Sequence, residues 1–125
     1  MKTMKSIYDK LDDLDIVPNL YLRFIKSTAR SRKKYDPSRI FLSDKKGRKL
    51  YYLSPDDKKV YFGNADYNDF FIYQIMEHHH IIPTDSSLKY RERYLKRASK
   101  IQGDWKSDRY SPNNLAMNIL WQISL

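Results

Sequence analysis

RIFLSDKKGRKLYYLSPDDKKVYFGN, residues 39–64, decides the fold class. Three short runs rich in aromatic and β-branched residues alternate with turn signals: Arg39–Ser43, Lys49–Leu53 and Lys59–Phe62. Such side chains fit a pleated, half-buried surface. Between the first two runs lies Asp44-Lys-Lys-Gly47, with glycine where positive φ costs little. Between the second and third lies Ser54-Pro-Asp-Asp57, with proline at the second turn position, and Gly63-Asn64 stops the third run. Runs this short, joined this tightly, predict a three-stranded antiparallel meander. Three strands alone are marginal, so helices must cover one face.

Outward from the meander the period becomes helical. Upstream, Met4, Ile7, Leu11 and Leu14 recur at helical spacing over residues 3–15, with Asp9, Asp12 and Asp13 on the other side. Pro18 breaks that pattern and opens a second helix, whose apolar stripe is Leu20, Phe24 and Ile25 with Tyr21. Arg30, Arg32, Lys33 and Lys34 follow. Cations suit the negative end of a helix dipole, and the alternative is a short basic arm that touches phosphates. Downstream, residues 66–80 predict a helix built on Phe70, Phe71, Ile75 and Met76. The expected architecture is α+β: one domain over residues 1–125, with helices over 1–35, the meander over 38–63 and about three helices over 66–125.

The longest helical signal is Ser86–Ile101. Ser86 or Ser87 can cap it, and no proline, glycine or β-branched residue interrupts it before Ile101. At about 100° per residue, Lys89, Arg93, Lys96 and Lys100 share one stripe, with Arg97 beside it. Tyr90, Tyr94, Ala98 and Ile101 occupy another side and can meet a core. A stripe of cations is ordinarily a solvated face. Interleaved with tyrosine, it also suits an anionic partner: single-stranded nucleic acid is gripped by phosphate contacts and stacking, and protein partners by Tyr, Trp and Arg anchors. Beyond it, Ser111-Pro112 starts a last helix with Leu115, Ala116, Ile119, Leu120 and Ile123 at helical spacing. Trp121, and Trp105 in an Asp-Trp turn, are expected to be buried.

Lys and Arg number 24 against 15 acids, a net charge of +9 over 125 residues. That points to an acidic protein, nucleic acid or an anionic surface as partner. There is no cysteine, which excludes disulfides and Cys-ligated zinc. No apolar run reaches the roughly 18–20 residues of a membrane span, and the N-terminus has no signal-peptide core. His78, His79 and His80 are consecutive, so on a helix they point apart rather than converge on one ion; no metal site or cofactor is expected. Asp12-Asp13 and Asp56-Asp57 read as a solvated helix face and a turn. Neither a glycine-rich phosphate loop nor a nucleophile elbow is present.

A set of short motifs spans residues 47–121: Lys59-Val-Tyr-Phe-Gly63, Asp66-Tyr-Asn-Asp69, Arg91-Glu-Arg-Tyr94-Leu-Lys-Arg97, Asp104-Trp105 and Leu120-Trp121. In this order they resemble a family of small basic proteins encoded by large DNA viruses and some phages. That family has a Lys-rich strand ending Phe-Gly, a Tyr/Asp segment, Arg-x-x-Tyr-x-x-Arg-His, an acid–Trp pair and a C-terminal Leu-Trp. Ala98 stands here where the family has His, and the interval from Gly63 to Arg91 is longer. The resemblance implies a virus-encoded protein without known enzymatic residues. It leads to the expectation of a non-enzymatic minor capsid or cementing component, located in the virion and in the host cytoplasm during assembly. Its partners would then be other virion proteins. The alternative is a nucleic-acid-binding accessory protein taking DNA or RNA. Under either reading the contact residues are Lys89, Tyr90, Arg93, Tyr94, Lys96, Arg97 and Lys100, with Arg30, Arg32 and Lys33.

Overall fold

The computed structural model describes residues 5–32, 35–101 and 108–121, and within the second helix it describes side chains only as far as Ser27. The fold is α+β, with a three-stranded antiparallel sheet and five helices. In chain order the elements are α1 (Ile7–Asp13), α2 (Pro18–Arg32), β1 (Ile40–Leu42), β2 (Arg48–Leu53), β3 (Lys59–Asn64), α3 (Phe70–His78), α4 (Ser86–Ala98) and α5 (Pro112–Leu115). A short 3-10 turn, Pro37–Arg39, leads into β1, and a π-helical turn, Ala116–Leu120, extends α5. Trp105 and Ile123 lie outside the described residues.

The sheet order is β1-β2-β3. Its register sets Ile40 opposite Tyr52 and Leu50 opposite Phe62, and all four are buried. Phe41, Tyr51 and Tyr61 form the intervening cross-strand row and stay half-buried. Period-two alternation makes the difference: one row meets the helices while the next faces outward. Lysines shield the outward row, with the Lys45 amine 4.3 Å from the Tyr61 ring and that of Lys59 4.8 Å from Tyr51. Gly47, in the first turn, has φ 83° as expected of it.

Both α1 and α2 bear on the sheet, α1 against β2 and α2 against β1. Ser6 caps α1 in a reciprocal box with Asp9, which shortens the helix predicted from residue 3. Pro18 opens α2 as expected, but the apolar stripe divides. Tyr21 and Ile25 are buried, whereas Leu20 is 42% and Phe24 46% exposed. They line a second, largely apolar cleft with Ile16, Phe71 and Ile75, of about 900 Å³. The third helix begins at Phe70 rather than Asp66, because the Asp69 carboxylate accepts from the Ile72 N–H at 3.0 Å and so fixes the cap.

The C-terminal segment is held by an aromatic cluster. Tyr52 stacks on Tyr110 at 5.6 Å, Tyr35 meets both edge-on, and the Tyr35 hydroxyl donates to the Arg109 carbonyl at 2.9 Å. Ser111 and Pro112 start α5 as their identities predict, the Ser111 hydroxyl accepting from the Asn114 N–H at 3.3 Å. Leu115, Ala116, Ile119, Leu120 and Trp121 are buried. Among the described residues, no helix is long and apolar enough to cross a membrane.

Candidate functional site

The basic helix is shorter than its periodicity suggests, and its caps differ. Asp85, at φ 71°, precedes α4 and makes no side-chain cap. The first-turn N–H of Ser87 is instead taken by the Glu77 carboxylate at 2.5 Å, reaching across from α3. The expected Ser86 or Ser87 cap is thus replaced by a tertiary one, which couples α4 to the end of α3. At the other end the helix stops at Ala98. The Ser99 hydroxyl donates to the Lys96 carbonyl at 3.0 Å, and the Ile101 N–H turns back to Ala98 at 3.2 Å. Lys100 and Ile101 therefore lie beyond the helix, and Ile101 is 50% exposed.

This splits the predicted cation stripe. Lys89 and Lys96 are exposed on α4, and Lys100 is exposed on the turn after it. Arg93 and Arg97 instead line a groove of about 820 Å³ between α4, the β2–β3 end of the sheet and the C-terminal turn. Tyr90 and Tyr94 line it with them. Arg30 and Arg32 occupy the last turns of α2 with side chains outside the description, and Lys33 lies outside the described residues.

The groove owes its shape to stacking. Tyr90 stacks on Tyr73 at 4.2 Å and 11°, and Tyr94 stacks on Trp121 at 4.3 Å and 10°. The guanidinium of Arg93 lies 5.9 Å from the Tyr90 ring and that of Arg97 5.7 Å from Tyr94. Arg91 fastens the helix from its inner side, its Nε donating to the Trp121 carbonyl at 2.6 Å. Burial raises the phenol pKa of both Tyr94 and Tyr73, so the rings stay neutral at physiological pH. The π-helical turn contributes Ala116 and Leu120 to the lining; such turns are rare and recur at binding sites.

Beneath the arginines sits a buried charge cluster. Lys49 is 2% exposed, and its amine donates to Asp69 Oδ2 at 2.8 Å, itself 1% exposed. The Tyr21 hydroxyl donates to the same oxygen. Burial pushes the Lys49 pKa down, against the pull of Asp69. It pushes the Tyr21 pKa well up, with the Asp69 charge adding to it. Gly63 makes room for the Lys49 stem: a Cβ at Gly63 would stand 3.2 Å from Lys49 Cβ and 2.8 Å from Leu120 Cδ1. Arg48 adds a third guanidinium to the lining, and Asp66 is the one carboxylate among the described lining residues. Asn68 also lines the groove, and its Oδ1 is buried with no hydrogen-bond partner.

Sequence reasoning did not single out Arg48, Asn68, the Glu77 cap or the Lys49–Asp69–Tyr21 cluster. Asp69 before Phe70-Phe71 carried a capping signal, but nothing in the chain pairs it with a lysine 20 positions earlier. His78 ends α3 and His79 caps it, with the two rings edge to face at 5.4 Å. Among the described residues, no three His, Asp or Glu side chains are placed to hold a metal ion. Compared with protein-family models, curated proteins and solved structures, the chain matches none.

Proposed function

We propose that this chain is a non-enzymatic interaction protein of a large DNA virus particle, a minor capsid or cementing component that docks on other virion proteins. The motif resemblance supports the viral setting. The observation that carries the mode of action is the commitment of the Tyr90 and Tyr94 rings. A single strand held by stacking needs aromatic planes open to its bases. Here one plane of each ring is closed by Tyr73 or Trp121, and a guanidinium stands within 6 Å of each ring. Rigid aromatics with arginine at their edges are instead the usual anchors of a protein interface. Five exposed cationic residues on or next to one helix, in a chain of net charge +9, favour an acidic face on the partner and steer its approach.

The nucleic-acid reading keeps the support of the net charge and of the exposed cations Lys89, Arg93, Lys96, Arg97 and Lys100. Mass spectrometry of purified particles tests the setting: a reproducible copy number per particle is expected, and absence from particles would refute it. Binding to purified capsid protein across a salt series tests the mode. A shallow salt dependence is expected, with Tyr90→Ala hurting more than Lys96→Ala. Tight DNA binding with a log–log salt slope of about −0.7 to −0.9 per contact would overturn it.

A further inference from the structure

We infer that the groove between α4 and the β2–β3 end receives an extended acidic segment of its partner, with carboxylates on Arg48, Arg93 and Arg97 and an apolar side chain against Leu120 and Trp121. The inference deepens the proposed function and rests on it for the origin of the segment, but not for its chemistry.

Two features fix that chemistry. The first is charge. Three guanidinium groups line the groove against one lining carboxylate, Asp66, and the buried Lys49 is paired with Asp69. Guanidinium matches a carboxylate with two parallel donors, and α4 presents Arg93 and Arg97 one turn apart. The second is the lining. Ala116, Leu120 and Trp121 are at most 7% exposed yet border the groove, so an apolar side chain entering it meets a surface already dry. A phosphate backbone would also satisfy the arginines, and the exposed Tyr67 ring in the lining would offer a base an open plane, so oligothymidylate is the competing probe.

The test uses the full chain carrying Trp105→Phe, which leaves Trp121 as the one tryptophan of two. Its fluorescence reports on the groove it lines. The probes are a short synthetic peptide of glutamates around a central phenylalanine, the same peptide with glutamine at every glutamate, and oligothymidylate. The acidic peptide is expected to shift Trp121 emission saturably. The glutamine peptide is expected to bind far more weakly. Arg93→Gln with Arg97→Gln should weaken the acidic peptide by about two- to thirtyfold, since each exposed ion pair contributes modestly. Both arginines are exposed, so the double variant should keep the parent's thermal midpoint, and Arg48→Gln on the sheet side supplies an independent loss. Equal affinity for both peptides, no binding of the acidic one, or tighter Arg-dependent binding of oligothymidylate would each overturn the inference. Capsid binding that survives the double arginine variant would remove the groove assignment and leave the particle reading standing. Peptide binding by a chain absent from particles would do the reverse.

Discussion

Replacing Asp69 tests the physics of the buried cluster most directly. Its Oδ1 accepts from the Ile72 N–H at 3.0 Å, and its Oδ2 takes the Lys49 amine at 2.8 Å and the Tyr21 hydroxyl. Asp69→Asn keeps an oxygen for the helix cap but turns an NH₂ toward the lysine. Lys49, 2% exposed, then has a charge with neither water nor an acceptor. Removing one partner of a buried pair in this way costs about 3–5 kcal/mol. That is a large share of the roughly 5–15 kcal/mol that stabilises a domain. Lys49→Met should cost less, about 1–3 kcal/mol, because Tyr21 and the Ile72 N–H still serve the carboxylate. Combining the two removes both charges, and neutral replacements of buried pairs are often harmless. The double variant should therefore be more stable than Asp69→Asn alone. Urea unfolding gives the comparison, read as a midpoint shift at unchanged m-value. Costs that simply add in the double variant would show that the two groups are not coupled and would refute the reasoning.

Gly63→Ala should cost about 2–4 kcal/mol, from a φ of 79° unsuited to a Cβ and from crowding of Leu120 Cδ1 at 2.8 Å; a thermal midpoint unchanged from the parent would show that the C-terminal turn can retreat. Trp121→Ala should cost about 3–5 kcal/mol, since Trp121 is 7% exposed and stacked on Tyr94, and a loss below about 1 kcal/mol in urea would place it outside the core energetics. Stability should fall as pH rises above 10. The phenols of Tyr21, Tyr94 and Tyr73 are held above their ordinary value of 10.0 mainly by burial, and that of Tyr61 is pushed up to about 12 by its hydrogen bond to Asp44. The unfolded chain then releases protons that the folded one keeps, so the native state binds more of them and loses stability as pH climbs. Lys49, lowered from 10.5, opposes this with a rise that ends at that pH. Urea midpoints across the alkaline range check the sign, and a flat profile above pH 10 would contradict it.

What the sequence made legible was local. The meander was readable because period-two alternation and turn chemistry act within a few residues. Pro18 and Ser111-Pro112 were readable because a fixed φ and a side-chain cap need only their own helix. Trp121 was readable as core from its place at the end of an apolar helix. The extent of α4 was misjudged because propensity continues to Ile101, whereas the helix ends at Ala98 with the Ser99 hydroxyl bonded back to the Lys96 carbonyl. Leu20 and Phe24 looked like core because apolar spacing alone does not say which of two adjacent faces meets the sheet. The α4 stripe was half legible. Its cations were identified, but only the stacking partners Tyr73 and Trp121, 17 and 27 positions from Tyr90 and Tyr94, separate Arg93 and Arg97 from Lys89 and Lys96.

Those long-range partners also set the shape of the groove. Lys49 neutralises Asp69, and Asp69 fixes where α3 begins. Eight residues later, near the end of α3, the Glu77 carboxylate takes the Ser87 N–H and fixes where α4 begins. Arg91 then ties α4 to the Trp121 carbonyl, and Trp121 supports Tyr94. Three of these links are hydrogen bonds from one element to another, so the position of α4 is set by tertiary bonds rather than by its own cap. The placement of Arg93 and Arg97 over the groove inherits that chain. A binding defect in an Asp69 or Glu77 variant would accordingly come from misplaced guanidinium groups, although neither carboxylate contacts the ligand. The peptide titration distinguishes this from simple unfolding, because the residual affinity of a folded Glu77→Gln variant should lose its dependence on Arg97 before it loses the apolar contact at Trp121.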